Sequence, residues 1–130
     1  MGNAQNLQCV NAVASGNLSA YQYCFMYKDT DGEVTMATAS TVIDGILQDD
    51  PAAEGDGCLL AIGGYSKLVV DGTIGGGIVV GAKLASDAAG KGVVTTTNLD
   101  DYGAIAQEAS TAAGDIITVL VVPGREISSA

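Results

Sequence analysis

The feature that most constrains this chain is a stretch that occurs twice. Residues 46–56 align without a gap onto residues 105–115, at an offset of 59 positions. Ile46, Gln48, Ala53, Gly55 and Asp56 coincide with Ile105, Gln107, Ala112, Gly114 and Asp115. Asp49 lies over another acid, Glu108, and a glycine precedes each run at Gly45 and Gly103. Each copy reads as strand, short loop, Gly-Asp turn, strand. Upstream the match continues at an offset of 58, where Lys28-Asp29-Thr30-Asp31-Gly32 lies over Ser86-Asp87-Ala88-Ala89-Gly90. Two copies of so long a unit do not make a solenoid, which needs several stacked repeats. The pattern predicts one pseudo-symmetric domain over 1–130, with modules at about 7–66 and 67–123 and a short mobile tail at 124–130.

The chain between these copies is punctuated for strands. Turn signals recur at Ser15-Gly16-Asn17, Asp29-Thr30-Asp31-Gly32, Gly63-Gly64, Asp71-Gly72, Gly75-Gly76-Gly77 and Asp87 to Gly90. The segments between them are short and apolar or alternating: Leu7 to Ala14, Ala20 to Lys28, Glu33 to Thr38, Val42 to Gln48, Gly57 to Ile62, Ser66 to Asp71, Gly77 to Ala85, Val93 to Thr97, Tyr102 to Gln107 and Asp115 to Val122. No segment keeps a helical period over twelve residues; Ala104 to Ala113 is the best place for a helical turn or two. About ten short strands with closely spaced turns predict an all-β fold, a small barrel or sandwich. Ile116 to Val122 is apolar on both faces and is expected to be the strand covered on two sides, with Pro123-Gly124 ending it.

Two stretches stand out as candidate contact surfaces. Tyr21, Tyr23, Phe25 and Tyr27 alternate along the predicted strand Ala20 to Lys28 and so share one face, and they are four of the six aromatic side chains in the protein. That stripe suits either a core face or an apolar surface for a partner or sister subunit. The second stretch is acidic: Asp44, Asp49, Asp50, Glu54 and Asp56 follow closely on one another, with no Lys or Arg between Lys28 and Lys67. Asp50-Pro51 has the makings of a cap on one helical turn. Asp49, Asp50 and Glu54 are the candidates for docking basic residues of a partner, against the plainer reading of a solvated loop.

Charge and composition narrow the function. A net charge of −10 with five Lys and Arg argues against binding nucleic-acid phosphates, which needs cations gathered on one face. The apolar runs are too short for helices that span a bilayer, and the first residues, Met-Gly-Asn-Ala-Gln-Asn, have neither a basic start nor an apolar core. Apolar residues make up 48% of the chain, enough for a packed core. Cys9, Cys24 and Cys58 sit in or at the start of strand-like segments and read as small buried thiols of a reducing compartment.

The chain has no histidine, so the commonest general base and metal ligand is missing. The cysteines lack paired zinc spacing, and no Gly-x-Ser-x-Gly elbow occurs. Asp29-Thr30-Asp31-Gly32-Glu33 has some features of a calcium loop, but its glycine comes at the fourth position, not the sixth, and no acid closes the twelfth. Gly75-Gly76-Gly77 has neither dinucleotide nor Walker spacing. Asp56 and Asp115 each follow glycine at a turn, where a carboxylate bonds local amides. Lys67 lacks the acid expected before a lipoyl-type carrier lysine. We expect no enzyme, no cofactor and no metal.

Four segments of the second half carry a family resemblance: Gly-Ile-Val-Val-Gly-Ala-Lys-Leu at 77–84, the turn Asp87 to Gly90, Tyr-Gly-Ala-Ile-Ala-Gln-Glu-Ala at 102–109, and Ala-Gly-Asp-Ile-Ile-Thr-Val-Leu-Val at 113–121. They resemble the small cement, or head decoration, proteins of tailed-bacteriophage capsids. The resemblance covers roughly 67–123, and reaches the first half only through the repeat. It implies a β-rich, non-catalytic structural protein, made in the host cytoplasm, that binds the outer capsid surface of the virion. Its partners would be the major capsid protein and itself, as a homo-oligomer, with a trimer favoured over a dimer and no nucleic acid or membrane involved. The tyrosine stripe is not typical of the shorter family members. The rival expectation is a small β-domain binding module of a surface or adhesive assembly.

Overall fold

Ten strands run through the described part of the computed structural model, which comprises residues 7–39, 42–95 and 101–126. They are β1 (Gln8–Val13), β2 (Phe25–Lys28), β3 (Val34–Met36), β4 (Gly45–Leu47), β5 (Gly57–Gly63), β6 (Tyr65–Asp71), β7 (Lys83–Ser86), β8 (Gly92–Val94), β9 (Asp101–Ala106) and β10 (Ala113–Glu126). The fold is all-β. β1 to β5 form a sheet in the order β1-β5-β4-β2-β3, and β6 to β10 form a closed barrel in the order β10-β6-β8-β7-β9. The barrel closes where β6 meets β8 in parallel at Val70 and Gly92. A parallel bridge between Ala14 and Val34 joins the two outer strands of the first sheet in the same way.

The two sheets repeat one another strand for strand, as their hydrogen bonds show. Gln48 N–H donates to Leu59 C=O as Gln107 N–H donates to Thr118 C=O. The Gln48 and Gln107 side chains each reach back to the carbonyl two residues earlier, Ile46 and Ile105. Gly55 and Gly114 both take a positive φ, 88° and 84°, so a β-carbon at either would be strained whatever the space around it. In the β2–β3 turn, Asp29 Oδ1 accepts the Asp31 and Glu33 amides; in the β7–β8 turn, Asp87 Oδ1 accepts the Ala89 and Lys91 amides.

One continuous core joins the halves. Phe25, Ile43 and Ile46 from the first pack with Leu68, Val70, Ile78, Leu84 and Val119 from the second. Met26, Leu47 and Leu60 form a second cluster with Leu18 and Val34 inside the first half. β2 is therefore covered on both faces, since successive side chains of a strand point oppositely. Burying Phe25 contributes roughly 1.5–3 kcal/mol. Gly103 permits that burial: a β-carbon there would stand 2.6 Å from Ile43 Cγ2 and 2.9 Å from Phe25 Cε1.

Several local expectations are corrected. β10 alternates instead of being covered on both sides: Ile116 is 53% exposed, while Ile117, Val119 and Val121 are buried. The wall of a small barrel has one filled side, so only alternate residues enter the core. Pro123-Gly124 does not end β10, which slips register between Val121 and Arg125 and pairs on to Glu126. Residues 127–130 of the expected tail lie outside the described residues. Neither Asp50-Pro51 nor Ala104 to Ala113 forms a helical turn; the first is a loop, and in the second Ala104 to Ala106 are held as strand by pairing of β9 with β7 and β10, with a loop over 107–112 after them.

Candidate interaction surfaces

The four aromatic residues do not form one stripe. β2 begins only at Phe25, and residues before it turn: Tyr23 has φ 66°, a left-handed conformation that breaks the period-two alternation. Phe25 is fully buried and offers nothing to a partner. Tyr27, half-buried, packs against the same cluster as Phe25, and Tyr21 packs against the other cluster, with Met26 and Leu60. Tyr23 stays at the surface, with the Lys67 ammonium 5.9 Å from its ring centre.

Tyr23 opens a cleft between the halves. Its walls are Leu7, Tyr23, Gln48, Tyr65, Ser66, Lys67 and Thr118, and its volume is about 220 Å³. Gln48 is held across it, donating to Ser66 Oγ at 2.9 Å, while the Gln22 side chain donates to Gln48 C=O. A shallower hollow of about 370 Å³ lies along β1 and β5, lined by Asn11, Ala12, Asp49, Gly57, Cys58 and Leu59.

The acidic residues divide into two roles. Asp49 is half-buried, and both carboxylate oxygens face the Leu59 amide, at 3.3 and 3.2 Å. Its counterpart Glu108 accepts the Thr118 amide. Asp56 Oδ2 accepts the Ala52 and Ala53 amides, and Asp115 Oδ2 accepts the Ser110 hydroxyl. These groups organise the loops beside them. Asp50 and Glu54 are exposed. Glu54 stands near enough to the β2–β3 turn that, with burial as the leading cause, it joins Asp29 and Asp31 in raising the Glu33 carboxyl above the usual carboxylate range.

Asp29, Asp31 and Glu33 place one carboxylate oxygen each within 4.8 Å of the others. The equivalent turn at Asp87 has the same amide bonds with Ala89 and Lys91 in place of the two further acids. The geometry is therefore that of the turn, and the acids ride on it.

Cys24 and Cys58 are buried, whereas Cys9 is exposed, contrary to the reading of all three as core thiols. Cys9 lies on β1, an outer strand, and points away from the cluster that Val10 and Ala12 cover. Burial, with a smaller push from Asp87 set against a pull from Lys91, raises the Cys24 thiol to about 11.

One surface lay hidden in a predicted strand. Gly77 to Gly81 is a loop, not part of β7, and it exposes Val79 and Val80 at 67% and 65%. The glycines on either side, both at positive φ, were the signal.

No protein-family model and no curated protein matches this chain. Its fold is similar to the head fiber gp8.5 N base of bacteriophage phi29. The likeness has a TM-score of 0.62 at 21% identity, and covers 92% of this chain and 98% of that one.

Proposed function

We propose that this chain is a structural protein of a phage virion, mounted on the outer surface of the head. The observation that supports this reading is the likeness to a head-fiber base over nearly the whole of both chains, joined to the resemblance of residues 67–123 to capsid cement proteins. In this reading the protein binds the major capsid protein, bridges neighbouring capsid subunits and works as a homo-oligomer, a trimer being the favoured state. Many copies on a symmetric lattice reinforce a shell through avidity even where each contact is weak. The test is a reconstruction of purified particles of the encoding phage, paired with particles from which the gene is deleted. Density for this fold contacting two capsid subunits, and earlier heat rupture of the deleted particles, is the expected result. Equal heat survival would overturn the cement role, and absence from purified particles the virion role.

A second reading is a binding module of an adhesive assembly, and the Tyr23 cleft favours it. Tyr23, Tyr65 and Lys67 around a polar floor of Gln48 and Ser66 suit a small polar ligand with an apolar face. Glycan-array binding that Tyr65→Ala abolishes, without any association with capsids, would select it.

A further inference from the structure

The two halves are joined by contacts that are not reciprocal. Tyr23 C=O accepts the Val69 N–H, and Phe25 N–H donates to Gly90 C=O, both at 2.8 Å. By the offsets of the repeated hydrogen bonds, the counterpart of Tyr23 is Gly81 and that of Phe25 is Lys83. The counterparts of Val69, Gly90 and Gly103 are Val13, Gly32 and Asp44. A two-fold arrangement of the halves would also bond Gly81 to Val13 and Lys83 to Gly32. Among the described residues neither bond is made. The junction is head to tail, so the second half keeps an open copy of the face that the first half has used. The first half likewise keeps an open copy of the surface that receives it.

We propose that a second copy of this chain occupies that opening, seating its Val13 and Gly32 against the Val79–Lys83 surface of the first. The inference rests on the self-association part of the proposed function and is independent of the capsid.

Both open faces have the backbone form of the joined ones. Gly81, at φ 91°, matches left-handed Tyr23, and its N–H donates to Ala106 C=O as that of Tyr23 donates to Leu47 C=O. The following residue matches as well, since Ala82 C=O accepts the Ala106 N–H as Cys24 C=O accepts the Leu47 N–H, and bonds on both sides set the Gly81 carbonyl as the Tyr23 carbonyl is set. Ala14 N–H turns toward β5, to Asp56 C=O, so ladder alternation turns Val13 N–H outward, as Val69 N–H is turned toward Tyr23. Gly32 and Gly90 hold φ 79° and 77°. A β-carbon at Gly90 would stand 3.0 Å from Met36 Cγ and 3.1 Å from Phe25 O, whereas one at Gly32 would meet nothing within 4 Å. The first is the occupied seat, and the second is the same seat empty.

The side chains on the open faces also match. Val13 is 41% exposed, and it would face Val79 and Val80, which are among the most exposed large apolar residues. Where the Phe25 ring meets Gly103 within the chain, Lys83 would meet Asp44 between copies. Where Gly90 is followed by Lys91, Gly32 is followed by Glu33, an acid facing a lysine-bearing surface. A contact of exposed valines rimmed by opposite charges is the composition of a reversible protein–protein interface.

The test uses the full chain in sedimentation velocity at moderate salt, over a range of concentrations. The unaltered chain should associate as concentration rises. Val79→Asp with Val80→Asp, and separately Val13→Asp, should each weaken association at least tenfold while leaving the melting temperature within a few degrees. Mixing the two should restore a single junction and give a 1:1 dimer, because each variant spoils a different face. Should Val13→Asp unfold β1, Asp31→Trp beside Gly32 blocks the same face from a turn. A mixture that stays monomeric while the unaltered chain associates would overturn the inference, and so would an unaltered chain that stays monomeric up to its solubility limit. Either result leaves the virion placement to be decided by imaging particles.

Discussion

The Asp49 carboxylate holds the Leu59 amide, bridging the loop that separates β4 from the middle of β5. Read as sequence, Asp49 belongs to an acidic loop free to meet a partner; in the fold it secures the start of a strand pair. A carboxylate accepting a backbone amide typically contributes around 1 kcal/mol at a partly exposed site. Asp49→Ala is therefore expected to lower stability by about that much, and Glu108→Ala, which frees the Thr118 amide, by a similar amount. Asp50→Ala, exposed and without such a bond, should change it by less than roughly 0.5 kcal/mol. Urea unfolding of the three variants checks the order.

Gly103 and Gly55 should fail for different reasons. Gly103→Ala drives a methyl group into Ile43 and Phe25, both buried, and is expected to cost about 1–3 kcal/mol by overpacking. Gly55→Ala meets nothing within 4 Å, so its cost, about 1 kcal/mol, comes from φ alone. A second change, Phe25→Leu, should recover part of the Gly103→Ala loss and none of the Gly55→Ala loss, which chemical denaturation of the double variants measures.

Tyr23 should invert a familiar ranking. At φ 66° an L-residue is strained and glycine is not, so Tyr23→Gly is expected to be more stable than Tyr23→Ala by about 1 kcal/mol. The two variants lose the same contact with Lys67, so thermal melts compare the backbone cost directly.

How far the sequence was legible follows from which interactions are local. The β-turn rhythm and the Gly-Asp positions were readable because turn chemistry is written within four or five residues, and the all-β fold follows from it. Gln48 and Gln107, found as coinciding letters, share two hydrogen bonds in space, one from the backbone amide and one from the side chain. The aromatic stripe was misread because alternation was carried through Tyr23, and nothing in a tyrosine announces a left-handed backbone. The burden on Asp49 was invisible because its partner lies ten residues away across a loop. Cys9 looked like core because it sits in a strand-like segment with Leu7, Val10, Ala12 and Val13, yet an outer strand has only one covered face. The Val79-Val80 surface was absorbed into a strand although glycines bracket it.

Glu33 supplies a pH dependence. Its carboxyl is raised in the fold by burial and by Glu54, Asp29 and Asp31, so the folded chain holds that proton more tightly than the unfolded chain. Its favourable contribution is present below the usual carboxylate range and is lost as pH rises through the raised value. Glu33→Gln should therefore raise the melting temperature slightly at neutral pH. That gain should vanish as pH falls to about 4. A gain that persisted in acid would point away from charge crowding.

The thiols give a direct check on burial. Under native conditions Ellman's reagent should titrate one thiol, Cys9, and reach Cys24 and Cys58 only on unfolding. Cys9→Ser should abolish the native reaction.

The place of Phe25 against Gly90 and Gly103 bears on how the chain matures at the ribosome. The first half emerges with all five of its strands, yet the Phe25 ring at the start of β2, packed there against Ile43 and Ile46, lacks the rest of its cover until the β7–β8 turn and β9 have been synthesised. The barrel that provides this cover closes only with β10, the final strand. That face of the first half stays open until the second half is made, so the two halves are expected to consolidate together, through the long-range strand pairing that makes β folds slow to form.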